Sequence, residues 1–189
     1  TPKYQQEVEY NAKKMFSELG IQNGMMFMQC KVEDGTCYVY DIGYRLTGSM
    51  EYKIFDAVAG YNPLKMLINY ALTGKMCDSD IASKINPISM RPSYNVSCLC
   101  APGTIASIDG CDTLKDSDGI IDFILTHYPG DTITDEMRGL LTQITVRVLG
   151  YVDTKEQLCE AMQNIGNKIK ILSTEGDNLL LPGIQSADI

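Results

Sequence analysis

The 189 residues are 44% apolar and 21% charged with a formal net charge of −8, the composition of a globular chain able to bury a core in one domain or two small ones. The acidic balance and the lack of a dense Lys/Arg run argue against nucleic acid or an anionic membrane surface as partners. No apolar stretch approaches the ~20 residues that span a bilayer and no signal-peptide pattern opens the chain, so the sequence reads as cytoplasmic.

Val8, Ala12, Met15 and Leu19 fall at i, i+4, i+7 and i+11, which predicts a helix over residues 4–19 stopped by Gly20. The chain starts at Thr1 and runs straight into this helix, as if cut from a longer protein. Two extended runs follow, 25–32 and 36–42, and the Asp34-Gly35 between them is a hairpin signal. Ser49 is the expected cap of a helix near 50–58, while Pro63 and Gly74 bracket a second helix over 63–72. Residues 75–92, with Asp78, Ser79, Asn86 and two prolines, read as a connection, with a boundary near residue 90.

Beyond it, 94–101, 104–108, 120–128 and 142–151 read as strands, with turns at Pro102-Gly103 and Pro129-Gly130. Thr154 and Gln157 fit a capping box that opens a helix, and Leu158, Met162, Ile165 and Ile169 form its core stripe. The tail after Glu175 carries one small apolar run. The whole is an α+β pattern. Seven cysteines without paired CxxC knuckles, and the single His127, make a poor zinc set; the thiols read as reduced, small apolar residues.

The chemistry-bearing residues gather on the hairpin. Side chains alternate along a strand, so Met26, Met28, Cys30, Val32, Tyr38, Tyr40 and Ile42 are expected to form a core face. The other face carries Phe27, Gln29, Lys31, Cys37, Val39 and Asp41, polar groups among apolar ones. These sets hold only if the loop has an odd number of residues. A three-residue loop, Glu33-Asp34-Gly35, is therefore expected, and it puts Gln29 and Asp41 on one face. Next comes Gly43-Tyr44-Arg45-Leu46-Thr47-Gly48-Ser49, an Arg between glycines at a strand-to-helix junction, where free N–H groups and a guanidinium suit phosphate oxygens. The residues alone leave an ordinary salt-bridged turn open. Lys31 and Glu33 read as solvated charges.

At these positions the sequence resembles the ATP-grasp superfamily. That family carries an acidic residue on one hairpin strand and a Glu-x-Asn-x-Arg pattern on the next; Asp41-Ile42-Gly43-Tyr44-Arg45 stands in the place of the latter and Gln29 in that of the former. Leu46 to Ser49 and Asn62 to Gly74 are similar to carbamoyl-phosphate-synthase-like members. Gly103-Thr104-Ile105, Pro129-Gly130-Asp131 and Arg147 to Gly150 look like the small C-terminal domain of biotin-carboxylase-like and amino-acid-ligase-like relatives.

The resemblance implies an antiparallel sheet with helices over residues 1–90, the C-terminal part of an ATP-grasp catalytic domain, and a small strand-rich subdomain over 91–189. It implies Mg²⁺ on Asp41 and Gln29, and ATP phosphate on Arg45, Gly48 and Ser49, with Arg45 also catalytic. The partners it implies are small-molecule carboxylate and amine substrates, and it leaves room for a homodimer. The sequence departs from the pattern at three places: Gln29 is uncharged, Asp41 is shorter than Glu, and Gly43 has no amide. Three functions stand open: an active ligase forming an acyl phosphate, a degenerate nucleotide- or partner-binding module, or a purely structural interaction module.

Overall fold

The computed structural model describes residues 5–77, 81 and 91–183. They fall into two compact units, one holding 5–56, 60–77 and 81, the other 57–59 and 91–183. Most of the connection around Asp78, Ser79 and Asn86, and the boundary near residue 90, lie outside the described residues.

The first unit opens with a π-type turn, Gln5–Glu9, running into α1 (Tyr10–Glu18). The Gly20 N–H bonds to the Ser17 carbonyl and the Ile21 N–H to that of Phe16, with Gly20 at φ +71°. This is a Schellman closure, and it ends the helix where the sequence predicts. Of the expected stripe, Val8 and Ala12 are buried while Leu19 is exposed.

Strands β1 (Phe27–Glu33) and β2 (Thr36–Gly43) form a two-stranded antiparallel sheet. Two helices follow, α2 (Tyr52–Ala59) and α3 (Pro63–Thr73). Ser49 does not cap α2: the cap position is Glu51, in helical conformation, after Met50 at φ +64°. In α3 the sequence signals hold, because Asn62 Oδ1 accepts from the N–H groups of Leu64 and Lys65, Pro63 follows, and Gly74 closes the end.

The second unit holds β3 (Ser93–Leu99), β4 (Gly103–Asp109), α4 (Cys111–Lys115), β5 (Ile120–Leu125), β6 (Thr132–Ile133), β7 (Ile144–Tyr151), α5 (Lys155–Lys168) and β8 (Lys170–Ser173). They build two antiparallel sheets, in the orders β3-β7-β5 and β6-β4-β8. The central β7 is buried along nearly its whole length, as expected of a strand covered on both faces. Val146, Val148, Ile105, Ile133, Ile169 and Ile171 form the centre of the core, with Met162 and Ile165 of α5 packed into it.

Thr154 and Gln157 make the predicted capping box. Three short elements, α4, β6 and β8, go unread in the sequence because their two to five residues are too few to show a period. Strand β7 begins later than predicted, since residues 141–143 form a 3₁₀ turn. There the buried Gln143 donates to the Cys100 carbonyl and accepts from the Gly139 N–H, satisfying two backbone groups. Cys98, pushed up to about 12 by burial and by Cys111, is a protonated core thiol at neutral pH.

Candidate functional site

Glu33 pairs with Thr36, so the hairpin loop has two residues, not three. Asp34 and Gly35 both take positive φ, +49° and +72°, as a type I′ turn requires. A two-residue loop alone would put Gln29 and Asp41 on opposite faces. It does not, because the register shifts between Gln29 and Cys30: Cys30 pairs with Val39 and Gln29 with Asp41, leaving Tyr40 as the extra residue of a β-bulge.

The bulge re-sorts the faces. One carries Phe27, Gln29, Lys31, Tyr38 and Asp41 with Gly43; the other carries Met28, Cys30, Val32, Cys37, Val39 and Ile42. The expected sharing of a face by Gln29 and Asp41 holds, for a different reason than the loop. The expected core face does not hold, since Tyr38 crosses to the other side and Val32 is 68% exposed and Ile42 43%. Two strands with no third beside them among the described residues bury little.

One rung from the Gln29–Asp41 pair, about 7 Å along the strand, Phe27 stands opposite Gly43. A Cβ at Gly43 would collide with the Phe27 ring. The same ring carries the Arg45 guanidinium, whose central carbon lies 4.8 Å from the centroid, a cation–π arrangement. Arg45 Nη1 also donates to the Leu46 carbonyl at 2.9 Å. The Tyr44 hydroxyl donates to the Asn23 carbonyl, tying the chain after β2 to the chain before β1. Arg45 is thus held at the open end of the face that bears Gln29 and Asp41.

No ion pair joins Asp41 and Arg45 among the described residues, which removes the salt-bridged turn as the reason for either. Lys31 and Glu33 pair loosely at 3.7 Å, both well exposed. Gly48 and Ser49 lie in the turn before α2, where the Thr47 hydroxyl donates to Glu51. Gly48 has open space around it. The stacking of Arg45 on Phe27 over Gly43 is the part that sequence reasoning misses, although an aromatic facing a glycine across a hairpin is its signal.

No group of three His, Cys, Asp or Glu side chains gathers to hold a metal among the described residues. Asp41 and Gln29 offer one carboxylate and one amide oxygen side by side. This fits Mg²⁺ in its usual protein setting, where one or two carboxylates suffice because waters and substrate phosphates complete the shell.

No family model matches the sequence, and no curated protein matches it. Solved structures do. The L-amino acid ligase from Bacillus licheniformis superposes with a TM-score of 0.71 at 20% identity, over 92% of this chain and 42% of that one. The phosphoribosylglycinamide synthetase from Anaerococcus prevotii gives 0.71 at 13% identity, over 92% and 43%. The chain has the fold of the matching part of these ATP-grasp structures. A third ATP-grasp structure, the biotin carboxylase domain dimer of Hydrogenobacter thermophilus 2-oxoglutarate carboxylase in complex with MgADP, ADP and bicarbonate, gives 0.68 at 14% identity, over 96% and 37%. The chain therefore spans about two fifths of the length of these ATP-grasp proteins. No helix among the described residues is long and apolar enough to cross a membrane.

Proposed function

We propose that the chain is the metal- and phosphate-facing part of an ATP-dependent carboxylate–amine ligase, carbamoyl-phosphate-synthase-like, working in the cytoplasm with a nucleotide-binding lobe. A small-molecule carboxylate attacks the γ-phosphorus of ATP, ADP leaves, and an amine then displaces phosphate from the acyl phosphate. The observation that carries this reading is the bulge, which sets Gln29 beside Asp41 with Arg45 at the end of the same face.

Asp41 would be the charged ligand to Mg²⁺ and Gln29 a neutral one. The ion, when bound, draws negative charge from the phosphate oxygens. Arg45, pre-oriented by the Phe27 ring, donates its remaining N–H groups to those oxygens and holds the transferring group in line. Gly48 and Ser49 would add backbone N–H groups from their turn. In this reading residues 1–90 belong to the catalytic domain and 91–189 to a small subdomain, and a homodimer is compatible with it. The chain by itself would bind ATP weakly, as adenine is held by the other lobe.

A second reading, a nucleotide- or partner-binding module without chemistry, is favoured by one observation: Phe27 fills the space over Gly43, where the family pattern has a metal-binding amide.

Phosphate release with Mg-ATP and candidate amino acids, measured on the whole protein, separates the two. Asp41→Asn keeps the side-chain volume and removes the charge, so it is expected to abolish most metal-dependent turnover with circular dichroism unchanged. Arg45→Lys is expected to lose on the order of 10²–10³ in rate. Turnover unchanged in both variants would end the catalytic assignment, and Mg-ATP binding without turnover in the parent would leave the second reading.

A further inference from the structure

The second unit contains a cavity of about 480 Å³, within the size range of small-molecule sites. Its floor is apolar, built by Leu114, Ile120, Val152 and Ile165. Into it reaches one buried polar side chain. Tyr94 is 8% exposed, lines the cavity, and its hydroxyl has no hydrogen-bond partner among the described residues. The ring is fixed by Gly150, where any Cβ would collide with the phenol and come within 2.7 Å of the Gly119 carbonyl. The Tyr94 hydroxyl is not among the fully buried polar atoms, so it is reached from the cavity and is free to hydrogen-bond with what occupies it.

The rim decides the charge of that something. Arg91 is committed: it makes two 2.8 Å bonds to the Asp153 carboxylate and stacks 4.0 Å over the Tyr151 ring. Asp118 and Glu160 also line the cavity and have no partner among the described residues. The lining thus holds three carboxylates against one guanidinium, and the two that remain unpaired face a cavity with an apolar floor. A chelated divalent ion is not indicated, for no triad of metal-binding side chains gathers among the described residues.

We propose that this cavity binds a small primary ammonium compound with an apolar or aromatic body, the body on the floor beside Tyr94 and the ammonium between Asp118 and Glu160, with the Tyr94 hydroxyl engaged by the ligand. The inference does not rest on the ligase reading, since it uses no residue of the hairpin.

Phenylethylamine is the probe, titrated into the 189-residue chain at pH 7 by calorimetry, with phenylacetate and 2-phenylethanol as anionic and neutral counterparts of equal shape. Saturable one-to-one binding of the amine is expected, with phenylacetate at least ~10-fold weaker. Tyr94→Phe, which keeps the ring over Gly150, is expected to weaken binding about 10-fold, the worth of one hydrogen bond to a charged group. The exposed pair Asp118→Asn with Glu160→Gln is expected to do the same at unchanged melting temperature, and it decides the matter should Tyr94→Phe disturb the fold. No saturable binding at millimolar amine, phenylacetate binding as well as the amine, or full affinity in the rim variant would each overturn the proposal.

Discussion

The two units stabilise themselves in different ways. The second closes a core around β7, with Val146, Val148, Ile169 and Ile171 fully buried. The first buries few side chains, among them Val8, Ala12, Ile54 and Pro63, and leaves Val32, Tyr40 and Leu72 largely exposed. Its local structure rests on capping, turns and ladder pairing instead. In the weakly buried hairpin, local devices fix the geometry: the type I′ turn, the bulge and the Phe27–Arg45 stack.

The contrast predicts unequal responses to truncation. Ile105→Ala, at a position 1% exposed, should cost about 2–5 kcal/mol in urea melts. Val32→Ala, at 68% exposure, should stay within about 0.5 kcal/mol. Equal losses would mean that the hairpin is covered in solution.

Alkali should sharpen the difference further. Burial pushes Tyr94 up to about 12 from an ordinary value of 10.0, and burial with Cys111 pushes Cys98 up to about 12 from 9.0. The unfolded chain gives up these protons first. The stability they confer is therefore complete below pH 9 and drains away as the pH climbs to 12. With each tenfold change in proton affinity worth about 1.4 kcal/mol, about two powers of ten on Tyr94 and about three on Cys98 set an upper bound of about 7 kcal/mol, and a loss of several kcal/mol is expected. Hydrogen exchange should show it in the second unit; a loss confined to the hairpin would contradict the assignment.

The smallest effect probes the hairpin itself. Gly43→Ala must displace the Phe27 ring and with it the Arg45 seat, at about 1–3 kcal/mol. The change should appear as faster exchange of β1 and β2 amides with the second unit's protection intact. Unchanged exchange would show that Phe27 has room to move.

The legible elements were those written in a period or a cap: the α5 stripe with its Thr154 box, the Asn62-Pro63 start of α3, and the near-continuous apolar run of β7. Where structure depended on a partner far along the chain, the sequence was silent. Gln143 is an exposed-type residue that the fold buries against Cys100, forty-three positions away. Ser49 looks like a cap, but the turn that sets Met50 at positive φ delays the helix past it. The candidate site shows both cases. Parity placed Gln29 and Asp41 together, yet it assigned the odd residue to the loop, because Asp-Gly is compatible with loops of either length, and a bulge at Tyr40 leaves no compositional mark.

That bulge makes the hairpin a reading frame. Were the ladder to slip by one residue and absorb it, Tyr40 would come opposite Gln29 and Asp41 would move to the face of Met28 and Cys30. Shortening the chain by Tyr40 itself would leave the acid where it is. Whether the carboxylate is presented is therefore a matter of count as much as of identity: a homologous hairpin can keep every functional residue and lose the site through one uncompensated insertion, or change its length and keep it.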